Sequence, residues 1–321
     1  MTSILLVKVS SLGDVIHNLT VVSDLRRRFP EARIDWVVEE AFTDFPRLHP
    51  GVTEVIPFAL RRWRHHLFDQ STWQEMRAFK KRLQSRHYDV ILDTQALLKT
   101  AAICKLARGE SWGFAADTAR DPLASRFYDH TVSLPRGLHT VERYRALAAA
   151  ALGYKQDLPL EYGLAVTPLK ADWLPKRPYA VLCTATSRDP KLWQEEKWLA
   201  LAAWLHDRGY ACVLPAGSPV ERERAARLAG AMADAVTVPP MKLTDLAAVI
   251  KGSAVVVGLD TGLTHIAAAL DRLTLAIFTD SDPGHAGAYA GEKGLSIGHR
   301  GYSPSVAEAI AALETLFKVH A

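Results

Sequence analysis

Short apolar runs alternate along this chain with longer segments in which apolar residues recur every three or four positions. The first run, residues 4–9, is nearly continuous, which is typical of a strand that is buried on both faces. A polar turn at residues 10–14 follows it, and we predict a helix from 15 to 29 that Pro30 ends. The further predicted elements of the first half are strands at 34–38, 52–57 and 90–93 and helices at 41–48, 71–86 and 98–107.

The same alternation resumes in the second half, and such alternation predicts an α/β fold of parallel sheets with helices on both faces. The segment between the halves holds four prolines and has weak periodicity, which is typical of a linker. The predicted strands are 179–184, 211–214, 236–238, 255–258 and 274–278, and the predicted helices are 195–208, 220–230, 243–251, 261–270 and 305–319. We therefore predict a first domain at 1–155, a linker at 156–178, a second domain at 179–303, and a last helix at 304–321 that packs back on the first domain.

Composition narrows the class of protein. Hydrophobic residues make up 49% of the 321 residues, and no apolar run is long enough to span a membrane, which excludes wholesale disorder and a transmembrane protein. The amino-terminal segment lacks the basic start of a secretory signal, so we expect a cytoplasmic protein. Cys104, Cys183 and Cys212 have no CxxC spacing, which predicts buried thiols. The net charge of +4 suits an acidic substrate but is weak for a nucleic-acid binder, so no nucleic-acid partner is expected.

The first candidate site follows the first predicted strand. Ser10, Gly13 and Asp14 lie where a loop opens a helix, and a glycine lets a ligand approach the backbone amides there. A carboxylate in that loop can act as a general base, so Asp14 is the candidate catalytic residue. The alternative interpretation is that Asp14 only caps the helix.

A basic segment follows the third predicted strand. Arg61, Arg62 and Arg64 fall within four residues, and guanidinium groups bind phosphates and carboxylates through paired hydrogen bonds. Trp63, with Leu67 and Phe68 beyond it, gives the segment an apolar component that suits an anionic membrane surface. The alternative is a solvated basic loop.

The second half carries three further motifs at predicted strand ends. Residues 184–193 combine small hydroxyl side chains with a lysine, which is a plausible phosphate cradle or else an ordinary polar loop. Residues 258–265 run from a strand into a helix whose first amides are free to bind an anion. The alternative interpretation is that Asp260 only caps this helix and that His265 is a partly buried histidine. Glu221 is placed for ribose hydroxyls, or is a glutamate favoured by a helix start. The candidate residues here are Thr186, Ser187, Lys191, Glu221, Asp260, Thr261, Gly262 and His265.

No metal-binding motif is apparent in the sequence. There is no HExxH, and the nearest carboxylate pair, Asp280 and Asp282, lies in a loop with glycine and proline. We therefore predict no metal site and no obligatory cofactor.

Taken together, these motifs resemble those of the bacterial lipopolysaccharide heptosyltransferases over nearly the whole chain. The strings that carry the resemblance are KVSSLGDVIH at 8–17, DWVVEE at 35–40, VIP at 55–57, RRWR at 61–64, TARDPLAS at 118–125, ATSRDPKLW at 185–193 and DTGLTH at 260–265. The second and fourth strings favour the type I enzymes over type II.

The resemblance implies a GT-B fold, in which two Rossmann-like domains face each other across a cleft. It implies an inverting transfer of L-glycero-D-manno-heptose from ADP-heptose to the Kdo of Kdo2-lipid A. The implied location is peripheral, at the cytoplasmic face of the inner membrane. We expect a monomer. By resemblance Asp14 is the catalytic base, and the eight second-half candidates above bind the donor. The implied acceptor-binding residues are Ser10, Gly13, Arg61, Arg62, Arg64 and Arg120.

One departure from the family concerns residues 278–284, where a usual Gly-Pro pair is missing, so the local loop geometry is not implied by the resemblance. Two other enzymes of this fold stay open as alternatives. One is a type II heptosyltransferase that adds a later heptose, and the other is a sugar-nucleotide epimerase, which needs no acceptor. The alternative that is not an enzyme is a basic module that binds anionic lipid or nucleic acid through residues 61–64.

Overall fold

Two parallel sheets dominate the computed structural model, which describes residues 2–135, 137–186 and 188–320. The chain divides into two units, Met1–Ala165 and Val166–Ala321, and the division lies inside the predicted linker. None of the helices in this described part of the chain combines the length and the apolarity that crossing a bilayer would require.

The first unit is built on a six-stranded parallel sheet in the order β3-β2-β1-β4-β5-β6. Its strands are Ser3–Val7 (β1), Arg33–Glu39 (β2), Glu54–Phe58 (β3), His87–Asp93 (β4), Arg108–Phe114 (β5) and His130–Val132 (β6). Its helices are Leu12–Arg28 (α1), Asp44–Arg47 (α2), Leu60–Trp63 (α3), Gln70–Gln84 (α4), Leu98–Leu106 (α5) and Thr140–Leu152 (α6). A 3₁₀ helix at Pro122–Phe127 completes the layer that packs beside α5.

The second unit repeats this topology, since its sheet has the order β12-β11-β10-β7-β8-β9. Its strands are Tyr179–Cys183 (β7), Ala211–Leu214 (β8), Ala235–Thr237 (β9), Val255–Leu259 (β10), Leu273–Phe278 (β11) and Gly294–Gly298 (β12). Its helices are Glu195–Asp207 (α7), Pro219–Ala231 (α8), Leu243–Gly252 (α9), Gly262–Ala269 (α10), Pro283–Ala286 (α11) and Val306–Val319 (α12). In both units the first and fourth strands are neighbours, and the chain order reverses between them.

Apolar burial explains why the short runs become central strands. Ile4, Leu5, Leu6 and Val7 of β1 are all fully buried, because successive side chains point to opposite faces and helices cover both. The predicted buried thiols are confirmed, since Cys104, Cys183 and Cys212 are all buried and unpaired.

Two features differ from the sequence prediction. Helix α1 begins at Leu12, three residues earlier than predicted, so Gly13 and Asp14 belong to its first turn and not to a loop. Strands β5, β6 and β12 and helix α6 were not predicted, because the strands are short or carry polar residues and glycines. Helix α12 packs against α7, β11 and β12 of its own unit, where Ala309, Leu313 and Leu316 are buried in the core. That it also packs back on the first domain stays a prediction.

A buried histidine fixes the segment that follows α2. The ring of His49 is 4% exposed, its Nδ1 accepts a hydrogen bond from the Gly51 amide at 2.9 Å, and its Nε2 lies 3.0 Å from the Ser23 hydroxyl. Gly163 has a φ of +65° and passes so close that a Cβ there would meet the ring at 2.3 Å. Burial, together with the nearby charge of Arg26, lowers the pKa of His49 to about 4.

We expect His49 to make stability fall as the pH falls from 6.5 towards 5. In that range the unfolded chain takes up a proton at this position and the folded protein does not, so the unfolded state binds more protons. With a pKa of about 4 in the folded protein and an ordinary value of 6.5 in the unfolded chain, His49 lowers the free energy of unfolding at pH 5 by about 2 kcal/mol. Urea unfolding of wild type and of His49→Gln at several pH values measures it, and equal pH dependence in the two proteins would contradict the assignment.

Candidate active site

The candidate residues lie in segments that follow the carboxyl ends of strands in each unit. In the first unit they follow β1, β3 and β5, and in the second they follow β7, β8 and β10. Open parallel sheets bind ligands at this position, where the strand order reverses and the flanking helices leave the strand ends uncovered. The two sites are described separately below.

Asp14 is the third residue of α1 and caps the start of that helix. One carboxylate oxygen, Oδ2, accepts hydrogen bonds from the Ser11 amide at 3.1 Å and the Ser11 hydroxyl at 3.2 Å. The capping interpretation of Asp14 is therefore present in the structure. The side chain is still 22% exposed, and Gly13 before it is buried. The other oxygen, Oδ1, is engaged by groups from elsewhere in the fold.

Lys8 and Tyr144 hold this second oxygen. The Tyr144 hydroxyl donates to Oδ1 of Asp14 at 2.7 Å, and the Lys8 ammonium lies 3.5 Å from the same atom. Lys8 is 1% exposed and also donates to the Tyr144 hydroxyl and to the Thr94 carbonyl, at 3.3 Å from the latter. Burial acts to raise the pKa of Asp14, but Lys8, the Tyr144 hydrogen bond and His17 outweigh it and hold that pKa well below its ordinary value. Asp14 is consequently an ionised, fixed hydrogen-bond acceptor at neutral pH.

Polar groups after β4 hold the loop between β1 and α1. The side-chain oxygen of Gln95 accepts from the amides of Val9 at 2.8 Å and Ser10 at 3.1 Å. Gln95 is itself fixed, because Oδ1 of the fully buried Asp93 accepts from the amides of Gln95 and Ala96. The shape of the Asp14 loop thus depends on the neighbouring strand as well as on its own sequence.

Lys99 joins this site from the first turn of α5. Its ammonium lies 3.4 Å from the hydroxyl of Ser10, which is 7% exposed. Partial burial lowers the pKa of Lys99, and Glu39, which is itself buried, acts in the opposite direction. Ser10 is therefore tied to a cation as well as to the side chain of Gln95.

Three arginines act on Lys99 through their charges. Arg61, Arg120 and Arg64 each contribute to lowering its pKa, so the positive charges of all three are felt at this position of the first unit. Arg120 lies 3.9 Å from Oδ2 of Asp14 and remains largely exposed. Arg64 is exposed and has no hydrogen-bond or carboxylate partner in the described part of the chain. Such a cluster favours an anionic ligand beside Asp14.

Arg62 differs from its neighbours, although the sequence treats the three arginines of this segment alike. Its guanidinium makes paired hydrogen bonds with the carboxylates of Glu40, at 3.0 and 3.1 Å, and Glu75, at 2.8 and 3.1 Å. Glu75 also accepts from the indole of the buried Trp63 at 2.8 Å. Arg62 therefore ties α3 to α4 and to the end of β2, and its donors are already occupied.

The second unit gathers its candidates around Asp260. Oδ2 of that carboxylate accepts from the Lys191 ammonium at 2.5 Å and from the Ser281 hydroxyl at 2.6 Å, and His265 Nε2 lies 3.8 Å from Oδ1. Burial acts to raise the pKa of Asp260, but His265, Lys191 and Ser281 outweigh it and hold that pKa well below its ordinary value. The loop whose geometry the sequence left open, at 279–284, thus supplies a hydrogen bond to this carboxylate.

Helix α10 starts beside this carboxylate, and no side chain of its cap residue occupies its first amides. Thr261 is the cap residue and Gly262 the first helical residue, and the Thr261 side chain makes no capping hydrogen bond. Thr186 donates to the Asp260 carbonyl at 3.2 Å, which joins the loops after β7 and β10. Gly258 allows α10 to sit directly on β10, since a Cβ there would meet the Thr264 hydroxyl at 2.2 Å. The arrangement offers one ammonium, two threonine hydroxyls and a helix start to an anion.

Two candidates are not brought into this group. Glu221 caps its own helix, with Oε2 accepting from the amides of Gly217 at 2.8 Å and Ser218 at 3.0 Å. The alternative interpretation of Glu221 as a helix-start residue therefore describes its contacts in this structure. Ser187 lies outside the described residues.

Four residues that matter in these sites were missed by sequence reasoning: Lys8, Tyr144, Lys99 and Ser281. Lys8 and Ser281 stood inside quoted motifs, and their roles became visible only through their partners. Tyr144 belongs to α6, whose buried positions 141, 144, 147 and 148 have helical spacing that was available in the sequence. Among the described residues no group of three histidine, cysteine or carboxylate side chains has an arrangement that could hold a metal ion.

Comparisons with known proteins agree with this geometry. The profile described as glycosyltransferase family 9 (heptosyltransferase) matches residues 76–313. A protein of Pseudomonas aeruginosa, lipopolysaccharide heptosyltransferase 1, is 44% identical over 288 residues, which are 89% of this chain and 81% of that protein. The predicted resemblance is therefore confirmed.

Solved structures extend the likeness to the fold. The E. coli heptosyltransferase WaaC with ADP matches with a TM-score of 0.89 and 38% identity over 98% of this chain and 99% of that chain. The structure of WaaC with ADP-2-deoxy-2-fluoro heptose matches with a TM-score of 0.85, also at 38% identity, over 100% of both chains. This confirms the predicted α/β class, GT-B, with two Rossmann-like sheets. On sequence profile, identity and topology alike, the chain belongs to glycosyltransferase family 9, the heptosyltransferases.

Proposed function

We propose that this glycosyltransferase is a type I lipopolysaccharide heptosyltransferase. It moves L-glycero-D-manno-heptose from ADP-heptose to the Kdo of Kdo2-lipid A during inner-core synthesis. The proposal is supported by the name of the 44% identical relative and by the ADP-heptose analogue bound to WaaC. The observation that carries it is the ionised Asp14 carboxylate, which Lys8 and Tyr144 fix after β1 and which lies 3.9 Å from Arg120.

In the proposed reaction the first unit binds the acceptor. Arg61, Arg64, Lys99 and Arg120 pair with its carboxylates or phosphates, and Asp14 accepts the proton of the attacking sugar hydroxyl. A carboxylate with a low pKa is a weak base, so the proton moves late, when bond formation has made the hydroxyl acidic. Lys8 and Tyr144 leave Asp14 little freedom to rotate, which keeps Oδ2 directed towards Ser11 and Arg120.

The second unit binds the nucleotide sugar. As the anomeric carbon–oxygen bond breaks, charge grows on the diphosphate, and Lys191, Thr186 and the first amides of α10 stabilise it. One direct displacement inverts the anomeric centre, with the C–O bond to the acceptor forming as the bond to ADP breaks. We propose no obligatory metal, because these cationic and dipolar groups supply the charge stabilisation. Glu221 and Ser187 complete the proposed donor contacts, Glu221 after leaving its capping position.

The proposed acceptor is a lipid, so the enzyme meets it at a membrane surface. We place that encounter at the cytoplasmic face of the inner membrane, with peripheral contact to an anionic leaflet. No chemical step requires a second copy of the chain, and we propose a monomer.

The experiment that tests the function combines purified protein, ADP-heptose and deacylated Kdo2-lipid A, with and without EDTA. Mass spectrometry of the acceptor should show the addition of one heptose under both conditions. A type II enzyme would instead require the product of the first transfer as its acceptor. An epimerase would convert the donor without any acceptor, and either result would overturn the proposal.

We expect Asp14→Ala and Asp14→Asn to lower kcat by about 10²–10⁴-fold, the usual value of a general base. ADP affinity should stay the same, because the donor contacts lie in the other unit. Isothermal titration with ADP and a thermal unfolding curve serve as controls for folding. A variant that keeps more than about a tenth of wild-type kcat while folded would remove Asp14 from the catalytic role.

We expect Lys8→Met to move the acid limb of the kcat/KM profile to higher pH. Asp14 is active in its ionised form, and Lys8 is the largest influence that keeps its pKa low, so without Lys8 the carboxylate takes up a proton at a higher pH. Tyr144→Phe removes one hydrogen bond to Asp14 and keeps the charge of Lys8, so the acid limb of this variant should move less. If kcat/KM of Lys8→Met is lower than that of wild type but has the same pH dependence, Lys8 only supports the fold.

We expect Arg64→Ala to raise the acceptor KM about tenfold, the value of one charge-assisted contact of roughly 1.5 kcal/mol. The donor KM should change less than about twofold, because the proposed diphosphate contacts lie beyond residue 180. Arg62→Ala is the matched comparison, since its guanidinium already pairs with Glu40 and Glu75 and its loss should mainly lower the unfolding temperature. An unchanged acceptor KM for Arg64→Ala would leave that residue as a solvated surface arginine.

A further inference from the structure

The loop after β11 carries three polar side chains that the proposed function does not use. Thr279, Asp280 and Ser281 directly follow that strand, in the segment where the chain departs from the family pattern. In the sheet β10 lies between β11 and β7, so the loops after β11 and β7 can meet only across the end of β10. Asp260 is the first residue after β10 and stands at this crossing. We call residues 279–281 the clasp.

Two members of the clasp hold the segment that leads into Lys191. The Thr279 hydroxyl donates to the Pro190 carbonyl at 3.0 Å. The Asp280 carboxylate lies 3.5 Å from the Arg188 guanidinium, and this pair is the weaker contact because both side chains are partly exposed. The amide of Lys191 in turn donates to the Arg188 carbonyl at 3.0 Å. The clasp therefore fixes the backbone on the amino-terminal side of Lys191.

The third member, Ser281, shares a carboxylate oxygen with Lys191. Oδ2 of Asp260 accepts from the Lys191 ammonium at 2.5 Å and from the Ser281 hydroxyl at 2.6 Å. Because the Asp260 side chain is only 17% exposed, its charge needs partners within the protein. A phosphate that draws the ammonium towards itself leaves the Ser281 hydroxyl on this carboxylate. Ser281 thereby lowers the free-energy cost of sharing Lys191 with a ligand.

We propose that the clasp positions Lys191 for a diphosphate, and that Ser281 is the positioning residue that allows Asp260 to share this ammonium with the ligand. Ser281 acts through Asp260 and need not touch the ligand itself. The inference rests on the proposed function in one respect, that the anion at Lys191 is the diphosphate of a nucleotide. Local support of the loop is the task of Asp282, whose Oδ1 accepts from the Gly284 amide at 2.8 Å.

Isothermal titration of the full chain with ADP, without acceptor or heptose, tests this directly. Ser281→Ala should raise the Kd of ADP about three- to tenfold, since the Asp260 carboxylate then depends more on Lys191. Ser281→Thr keeps a hydroxyl at this position and should restore most of the lost affinity. Thr279→Val keeps the shape of its side chain and removes the hydrogen bond to Pro190, so it should weaken ADP binding by less.

Ser253→Ala is the matched control. The Ser253 hydroxyl donates to the Ile250 carbonyl at 2.7 Å, before β10 begins. The same substitution there also removes one hydrogen bond, but at the opposite end of that strand. The Kd of ADP for this variant should equal that of wild type, even if its unfolding temperature falls.

A double-mutant cycle separates positioning from simple support of the fold. When Lys191→Met is the starting protein, adding Ser281→Ala should leave the Kd of ADP unchanged, because no ammonium remains to be shared. If Ser281 only supports the fold, Ser281→Ala should weaken ADP binding by the same factor in wild type and in Lys191→Met. That result would overturn the proposed role of Ser281.

An unchanged Kd of ADP for Ser281→Ala would equally overturn it. If Ser281→Ala does not fold, Ser281→Cys, whose thiol is a weak donor, takes its place, and an unchanged Kd for Ser281→Cys and Thr279→Val has the same meaning. Wild-type protein that binds ADP but transfers no heptose would instead refute the proposed function and leave the inference about the clasp standing.

Discussion

A fully buried ammonium group must be neutralised where it lies, and Lys8 imposes this constraint on the first unit. Its partners come from three parts of the fold: Asp14 of α1, Tyr144 of α6, and the backbone after β4. Breaking one partner of such a buried pair typically costs about 3–5 kcal/mol, so the elements that carry the partners cannot drift apart independently. The position of the proposed catalytic carboxylate, Asp14, is consequently a property of the packed core and not of its own loop.

The two units meet the same demand in different ways. Each places a lysine–aspartate pair at the reversal of its strand order, with a hydroxyl group on the carboxylate: Tyr144 on Asp14, and Ser281 on Asp260. Lys8 is buried and directs its ammonium to groups of its own unit, whereas Lys191 keeps 14% of its side chain exposed. One pair therefore suits a fixed base, and the other suits a cation that a ligand can reach.

The sequence predicts an element of this arrangement when neighbouring residues determine it, and fails where residues far away in the chain do. Buried strands such as β1 and β10 were predictable, because each is a short apolar run bounded by turn residues. The start of α1 was misplaced because Gly13 and the polar residues beside it are typical of a loop, whereas capping by Ser11 extends the helix. Strand β5, with two glycines, is stabilised by pairing on both sides and not by its composition.

The catalytic assignment shows the same limit. Asp14 could be proposed from its place after β1, but its hydrogen-bond partner Tyr144 lies 130 residues away. No spacing rule joins those two positions, and only the topology of the sheet brings α6 beside α1. Likewise the three arginines of the basic segment look alike in sequence, and Glu75 on another helix is what sets Arg62 apart.

The ion pair between Lys191 and Asp260 gives the proposed phosphate site a competitor within the protein. An anion that binds Lys191 shares that ammonium with a carboxylate that is already in place, hydrogen-bonded to Ser281 and close to His265. We expect a singly charged anion such as chloride to gain little beside this carboxylate. A diphosphate brings more negative charge and more acceptor oxygens, so it can also use the start of α10. We therefore expect the resident carboxylate to favour polyanions before any sugar or base is recognised.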